Sequence, residues 1–123
     1  MIGNLVLANV PYYDSTSKTI LAKRRPMLVI GQPDATDYTV LPLSTIGIKA
    51  NVHKVFDVEI NPAVYPLTRL NRTCYIRTHK SANISRSAIE SCLCNLKAVY
   101  PNLFLDILVL FEDYCKSLSF DAL

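Results

Sequence analysis

A chain of 123 residues with 13 basic and 10 acidic side chains can bury a core of its own without crosslinks, and its formal net charge of +3 does not identify a nucleic-acid binder unless the cations cluster. Half of the residues are hydrophobic and the mean hydropathy is +0.22, which leaves apolar surface for an oligomer. The uncharged run Tyr38 to Ile48 has 11 residues and contains Pro42 and Gly47, and the run Met1 to Tyr13 has 13 and contains Pro11, so neither reaches the length of about 20 residues that a membrane-spanning helix needs.

In chain order, "MIGNLVLANVP" has no charged side chain ahead of its apolar residues and is cut by Pro11. That is unlike a secretory leader, and a cytoplasmic protein is expected. Leu5 to Val10 read as a first strand. "YYDSTSKTILAKRR" reads as a long polar connection that moves or orders on binding. Met27 to Ile30 form a second strand, "GQPDATD" a turn, and "YTVLPLS" a third strand in which Pro42 marks an end or a bulge. "HKVFDVEI" alternates, with Val55, Asp57 and Glu59 opposed to Phe56, Val58 and Ile60, the pattern of a half-buried strand. "NPAVYP" is a turn or a short helical detour.

In "TCYIRTHK" the period of two sends Cys74, Ile76 and Thr78 to one face and Tyr75, Arg77 and His79 to the other. Ser85 suits the cap of a short helical turn through Ile89. "CLCNLK" alternates again. Pro101 fits the first turn of a helix over "NLFLDILVLFEDYCKSL", which is apolar on nearly all sides. One side of that helix is expected to face the sheet and another to meet a partner. The whole predicts a mainly β chain with a C-terminal helix: one domain over residues 1–123, with a small, bent antiparallel sheet closing towards a barrel.

Two features bear on chemistry. Lys23, Arg24 and Arg25 form the densest cationic cluster and stand directly before Pro26 and an apolar strand. It is either a solvated loop end or a seat for phosphate. The four cysteines (Cys74, Cys92, Cys94, Cys115) have no histidine or cysteine near them at zinc-finger spacing, so they read as reduced and mostly buried thiols, and neither a metal nor a cofactor is expected.

The series "GNLVLANVPYYD…KRRPMLVIG…YTVLPLST…CYIRTH…" resembles the PemK/MazF family of toxin endoribonucleases over nearly the whole chain. The resemblance implies a small SH3-like antiparallel barrel of the PemK/MazF/CcdB type, a homodimer, and a cognate antitoxin protein as partner. It also implies metal-independent cleavage of single-stranded RNA by attack of the 2′-hydroxyl, leaving 2′,3′-cyclic phosphate and 5′-hydroxyl ends. Arg25 matches the family's catalytic arginine before proline, and a guanidinium grips two phosphate oxygens at once. Lys23 and Arg24 then add steering charge. Ser44 matches the hydroxyl at the strand end, with Thr45 the second choice.

Arg77 and His79 fall where Kid-type members carry Arg-Cys-Asp, so His79 takes the place of the aspartate base. An imidazole exchanges protons near neutral pH, whereas Arg77 is suited to stabilising the charge of the phosphorane. Tyr75, Tyr12 and Tyr13 are candidates for stacking on bases, or simply cover barrel edges. The chain departs from the family pattern in two places. "SANIS" lacks the arginine of the family's "R-T-[IV]-D" stretch, and no glycine lies between Tyr12 and Arg25. Two other readings follow: a non-catalytic RNA- or protein-binding module on the same barrel, or a CcdB-like gyrase poison. The absence of Trp and an end reading "SFDAL" count against the gyrase poison.

Overall fold

The computed structural model describes all 123 residues. Seven strands, β1 (Asn4–Asp14), β2 (Thr19–Gly31), β3 (Asp37–Ser44), β4 (Asp57–Ile60), β5 (Cys74–Arg77), β6 (Ala82–Ser85) and β7 (Ile89–Asn95), precede the short helix α1 (Leu96–Val99) and the long helix α2 (Pro101–Ala122). All strand pairings are antiparallel. The order across the sheet is β4-β5-β3-β2-β1-β7, with β6 paired to β3. The sheet curls into a half-barrel, so the chain is mainly β with a C-terminal helix, as its pattern predicts.

The near-continuous apolar runs in β1, β2 and β3 are explained by burial on both faces. Leu5, Leu28, Leu41 and Leu43 face one way and pack with Ile60, Ile76, Phe104 and Ile107. Val6, Met27, Val29 and Val40 face the other way, with Tyr38 and the partly buried Ile84 and Ile89. Strand β3 is shared between two partners. Asp37 to Val40 pair with β6, and Leu43 and Ser44 pair with β5. The change of partner falls at Leu41–Pro42, where a residue without an N–H wastes no donor.

Gly3 fixes the entry to β1. Its φ is +92°, and a Cβ there would stand 2.7 Å from Cβ of Lys97. The close approach lets the Gly3 carbonyl accept from Leu96 N–H at 2.7 Å and ties β1 to the start of α1.

Several expectations are revised. The polar segment after Val10 is a β-hairpin arm and not a loop: β1 and β2 stay paired out to Asp14 opposite Thr19. Pro11 is tolerated there because β1 has lost its other neighbour, β7, beyond Ala8. Asp14 holds the turn by accepting from Thr16 N–H and the Ser17 hydroxyl, and Lys18 takes the left-handed position, φ 56°, that a glycine would ordinarily fill.

His53 to Phe56 lie before β4 in a turn, and His79 lies just past the end of β5. The predicted alternation nevertheless holds, with Cys74, Ile76 and Thr78 buried and Tyr75, Arg77 and His79 partly exposed. Ser85 caps the helical turn Arg86–Ala88 by accepting from Ser87 N–H. Of the cysteines only Cys74 is buried; Cys94 is half-buried, and Cys92 and Cys115 are exposed. Pro101 opens α2, but the helix buries only Phe104 and Ile107 fully and leaves Leu105, Val109, Leu118 and Phe120 exposed. No helix is long and apolar enough to cross a membrane.

Candidate functional site

The ladder between β2 and β3 runs through Val29–Val40, Leu28–Leu41 and Met27–Pro42, and stops. Pro42 stands at its last rung and Pro26 at the position beyond it, and neither has an N–H to extend the ladder. Carried further, the same register would set Pro26 against Leu43, Arg25 against Ser44 and Arg24 against Thr45. Here the strands part instead. The gap opens a cavity of about 460 Å³ lined by both strand ends, including Lys23, Arg24, Arg25, Ser44 and Thr45. The cationic cluster and the two hydroxyls, 19 to 22 residues apart in the sequence, therefore border one space.

The facing wall comes from residues 69–72. Arg69, Asn71 and Arg72 line the cavity, and Cys74, Leu43 and Leu93 contribute to its apolar floor. Arg69 follows the helical turn Pro66–Thr68 with φ 62°, an uncommon backbone state for a side chain of its size and one that concentrates at functional sites. These wall residues were missed by sequence reasoning. The available signal was two arginines and an asparagine within four positions, with no acid among them.

Five of the 14 lining residues are cations and none is acidic, so the cavity attracts polyanions. Only Arg24 is neutralised: its Nε lies 2.8 Å from Glu90, which also accepts from the Asn9 side-chain amide. Arg69 reaches the Leu93 carbonyl at 3.4 Å. Lys23, Arg25, Arg69 and Arg72 form no ion pair. The Cys74 thiol is a poor nucleophile, because burial raises its pKa from 9.0, with Arg72 opposing.

Cross-strand register extends the site along the sheet. Ser44 pairs with Tyr75 and Leu43 with Ile76, so Arg77 lies diagonally from Ser44, at a spacing of about 8 Å for such neighbours. Paired residues project to the same face, which places Ser44, Tyr75 and Arg77 on one side of the curled sheet. Arg77 and His79 do not line the cavity. They converge on Asp57, whose side chain is fully buried. Arg77 Nε donates to Asp57 Oδ1 at 3.1 Å and Nη2 to Oδ2 at 3.4 Å, while His53 N–H donates to Oδ2 at 2.8 Å.

The His79 ring lies among His53, Phe56 and Tyr114. Its pKa is lowered from 6.5 by burial; Asp57 opposes this, and Arg77, His53 and Lys80 add to it. The imidazole is therefore neutral at pH 7. Comparison with protein-family models and with curated proteins gives no match to this chain.

Chemically, the gap offers two things together: unpaired guanidinium groups that bind phosphate oxygens and hydroxyls at the strand end that donate to them. The His79 imidazole, able to accept a proton, lies outside the gap beside Asp57.

Proposed function

We propose that the protein is a metal-independent endoribonuclease with an SH3-like barrel of the PemK/MazF type, the toxin of a toxin–antitoxin pair. In this reading it works as a homodimer in the cytoplasm on single-stranded RNA. The observation that carries the proposal is the end of the β2–β3 ladder at Met27–Pro42, beyond which Arg25 and Ser44 line one cavity of five cations and no carboxylate. The scissile phosphate lies between Arg25, Ser44 and Arg77, with Thr45, Lys23 and Arg24 along the strand carrying it and Tyr75 available to a flanking base.

His79 takes the 2′-hydroxyl proton as the 2′-oxygen attacks phosphorus. The bond from phosphorus to the 5′-oxygen breaks, and the leaving oxygen takes a proton back from the imidazolium. The extra charge of the phosphorane is held by Arg25 and Arg77. An acidic antitoxin segment would compete for the same cations.

Incubating the purified protein with a long single-stranded RNA in EDTA tests the proposal. Discrete fragments ending in 2′,3′-cyclic phosphate are expected, and Arg25→Ala abolishes them. Intact RNA from a folded protein across several RNA sequences overturns the nuclease. A second reading, a non-catalytic RNA-binding module, is favoured by one observation: Arg77 and His79 turn towards Asp57 and away from the cavity. Under that reading Arg25→Ala weakens RNA binding and no fragments form with either protein.

A further inference from the structure

His79 Nδ1 is the one buried side-chain polar atom without a hydrogen-bond partner, and it faces Asp57 Oδ1 at 3.7 Å. The other ring nitrogen, Nε2, makes no hydrogen bond to the protein and is not among the buried atoms without partners, so it reaches solvent. The ring thus has an inward nitrogen turned to a buried carboxylate and an outward nitrogen free to meet a substrate.

Asp57 is itself held from three sides. Arg77 Nε and Nη2 and the backbone N–H of His53 occupy its oxygens, which leaves the approach to Oδ1 from His79 as the remaining open contact. Around the imidazole stand Asp57, Arg77, His53 and Lys80 as charged or titratable groups, with Tyr114 of α2 edge-on to the ring.

We infer that Asp57 is a positioning residue that keeps the His79 hydrogen on Nδ1 and thereby makes Nε2 the proton-accepting atom, while the same carboxylate fixes the orientation of Arg77. A neutral histidine carries one hydrogen, and the partner of one nitrogen decides the role of the other. When Nε2 takes a proton, the ring closes on Oδ1 and the buried carboxylate compensates the imidazolium. One residue thus aligns both the base and the phosphorane-stabilising cation. The inference rests on the ribonuclease reading for its catalytic meaning, but its structural content stands apart from activity.

Two readouts separate these. The chain has only two histidines, so long-range proton–nitrogen NMR with His79→Gln for assignment reads the His79 tautomer directly in the unmutated protein. The expected result is the Nδ1–H form at pH 8; an Nε2–H form overturns the inference, and this measurement does not depend on any variant folding. In Asp57→Asn of native circular dichroism, the His79 titration midpoint moves to lower pH, because the raising influence of Asp57 is gone. An unmoved midpoint counts against the inference.

For RNA cleavage, Asp57→Asn lowers kcat by about tenfold or more and leaves KM within about twofold, with the acidic limb of the pH profile shifted down. Equal loss in kcat and KM with an unshifted limb makes Asp57 merely structural and overturns the positioning role. If the unmutated protein cuts no RNA while His79 is in the Nδ1–H form, the ribonuclease reading fails and the orientation of His79 by Asp57 stands.

Discussion

At the scale of single residues, charge without a counter-charge is what distinguishes the candidate site. Arg25 and Arg72 both line the cavity and neither is paired, yet they differ in expected role. Arg25 shares the cavity with Ser44 and Thr45, so Arg25→Lys keeps the charge but loses the planar two-point grip on phosphate. Cleavage is expected to fall far more than RNA affinity. Arg72→Ala should weaken binding of all single-stranded RNAs alike and lower the slope of log affinity against log salt by about 0.7. Fluorescence anisotropy across a salt series reads this directly.

His79 gives a pH signature of folding. Its pKa in the folded chain is held below 6.5, so as pH falls the unfolded chain takes up the proton first. Stability from this group is complete above pH 6.5 and declines as the pH drops through the lower folded-state value. Urea midpoints between pH 8 and pH 5 are expected to fall, with a shallower fall in His79→Gln. Arg25 and Ser44 were picked out of the sequence through the family resemblance, and both line the cavity, whereas Arg77 and His79, picked out the same way, lie against Asp57. Asp57 was legible only as one position of a half-buried strand, because its partners lie 20 and 22 residues away and no local pattern reports that pairing. Arg69 escaped for a different reason: it stands in a stretch with no period, on a backbone conformation that composition does not announce.

At the scale of elements, two prolines decide where the sheet opens. The ladder between β2 and β3 ends at Met27–Pro42, and Pro26 stands at the next position. Pro26→Val supplies an N–H and a strand-forming side chain, which favours continuation of the ladder into the gap. Weaker RNA binding without a lower urea midpoint is the expected outcome, with RNA affinity and denaturation measured on the same preparation. Gly3 is the corresponding fixed point at the other end of the sheet. Gly3→Ala meets both a positive φ and a Cβ at 2.7 Å, and a loss of about 1–3 kcal/mol is expected in urea unfolding. The strands of the core were legible because apolar runs and alternation survive in β1 to β5. The hairpin arm was not, because serine, threonine and lysine at its tip read as loop while the backbone pairing that holds it comes from the two strands together.

At the scale of the molecule, the curl of one sheet brings a strand end, a turn and a third strand to a single face, and the sequence foretold the ingredients better than their arrangement. The helix shows the limit most clearly. Its apolar residues predicted burial on more than one side, yet Leu105 and Val109 are exposed on the single chain. The homodimer we propose would cover such surface, and sedimentation equilibrium is expected to give twice the 13.8 kDa chain mass. A monomer at micromolar concentration removes the dimer from the proposed function.

The long pairing of β1 with β2 also sets an order of events in time. Its ten paired positions run from Asp14–Thr19 back to Leu5–Leu28, so the ladder grows from a tight turn by contacts near in sequence, and hairpins of this kind form in about 1–10 μs. The pairing of Asn4 with Asn95 and of Leu5 with Cys94 must instead wait for a loop of most of the chain to close, which is slow and is the step that limits folding of such topologies. During synthesis the cationic strand therefore acquires its hairpin partner while β5, β7 and the helix are still to be made. Substitutions in β7, like those in the arm, should therefore alter the folding rate, because both pairings are engaged at the limiting step.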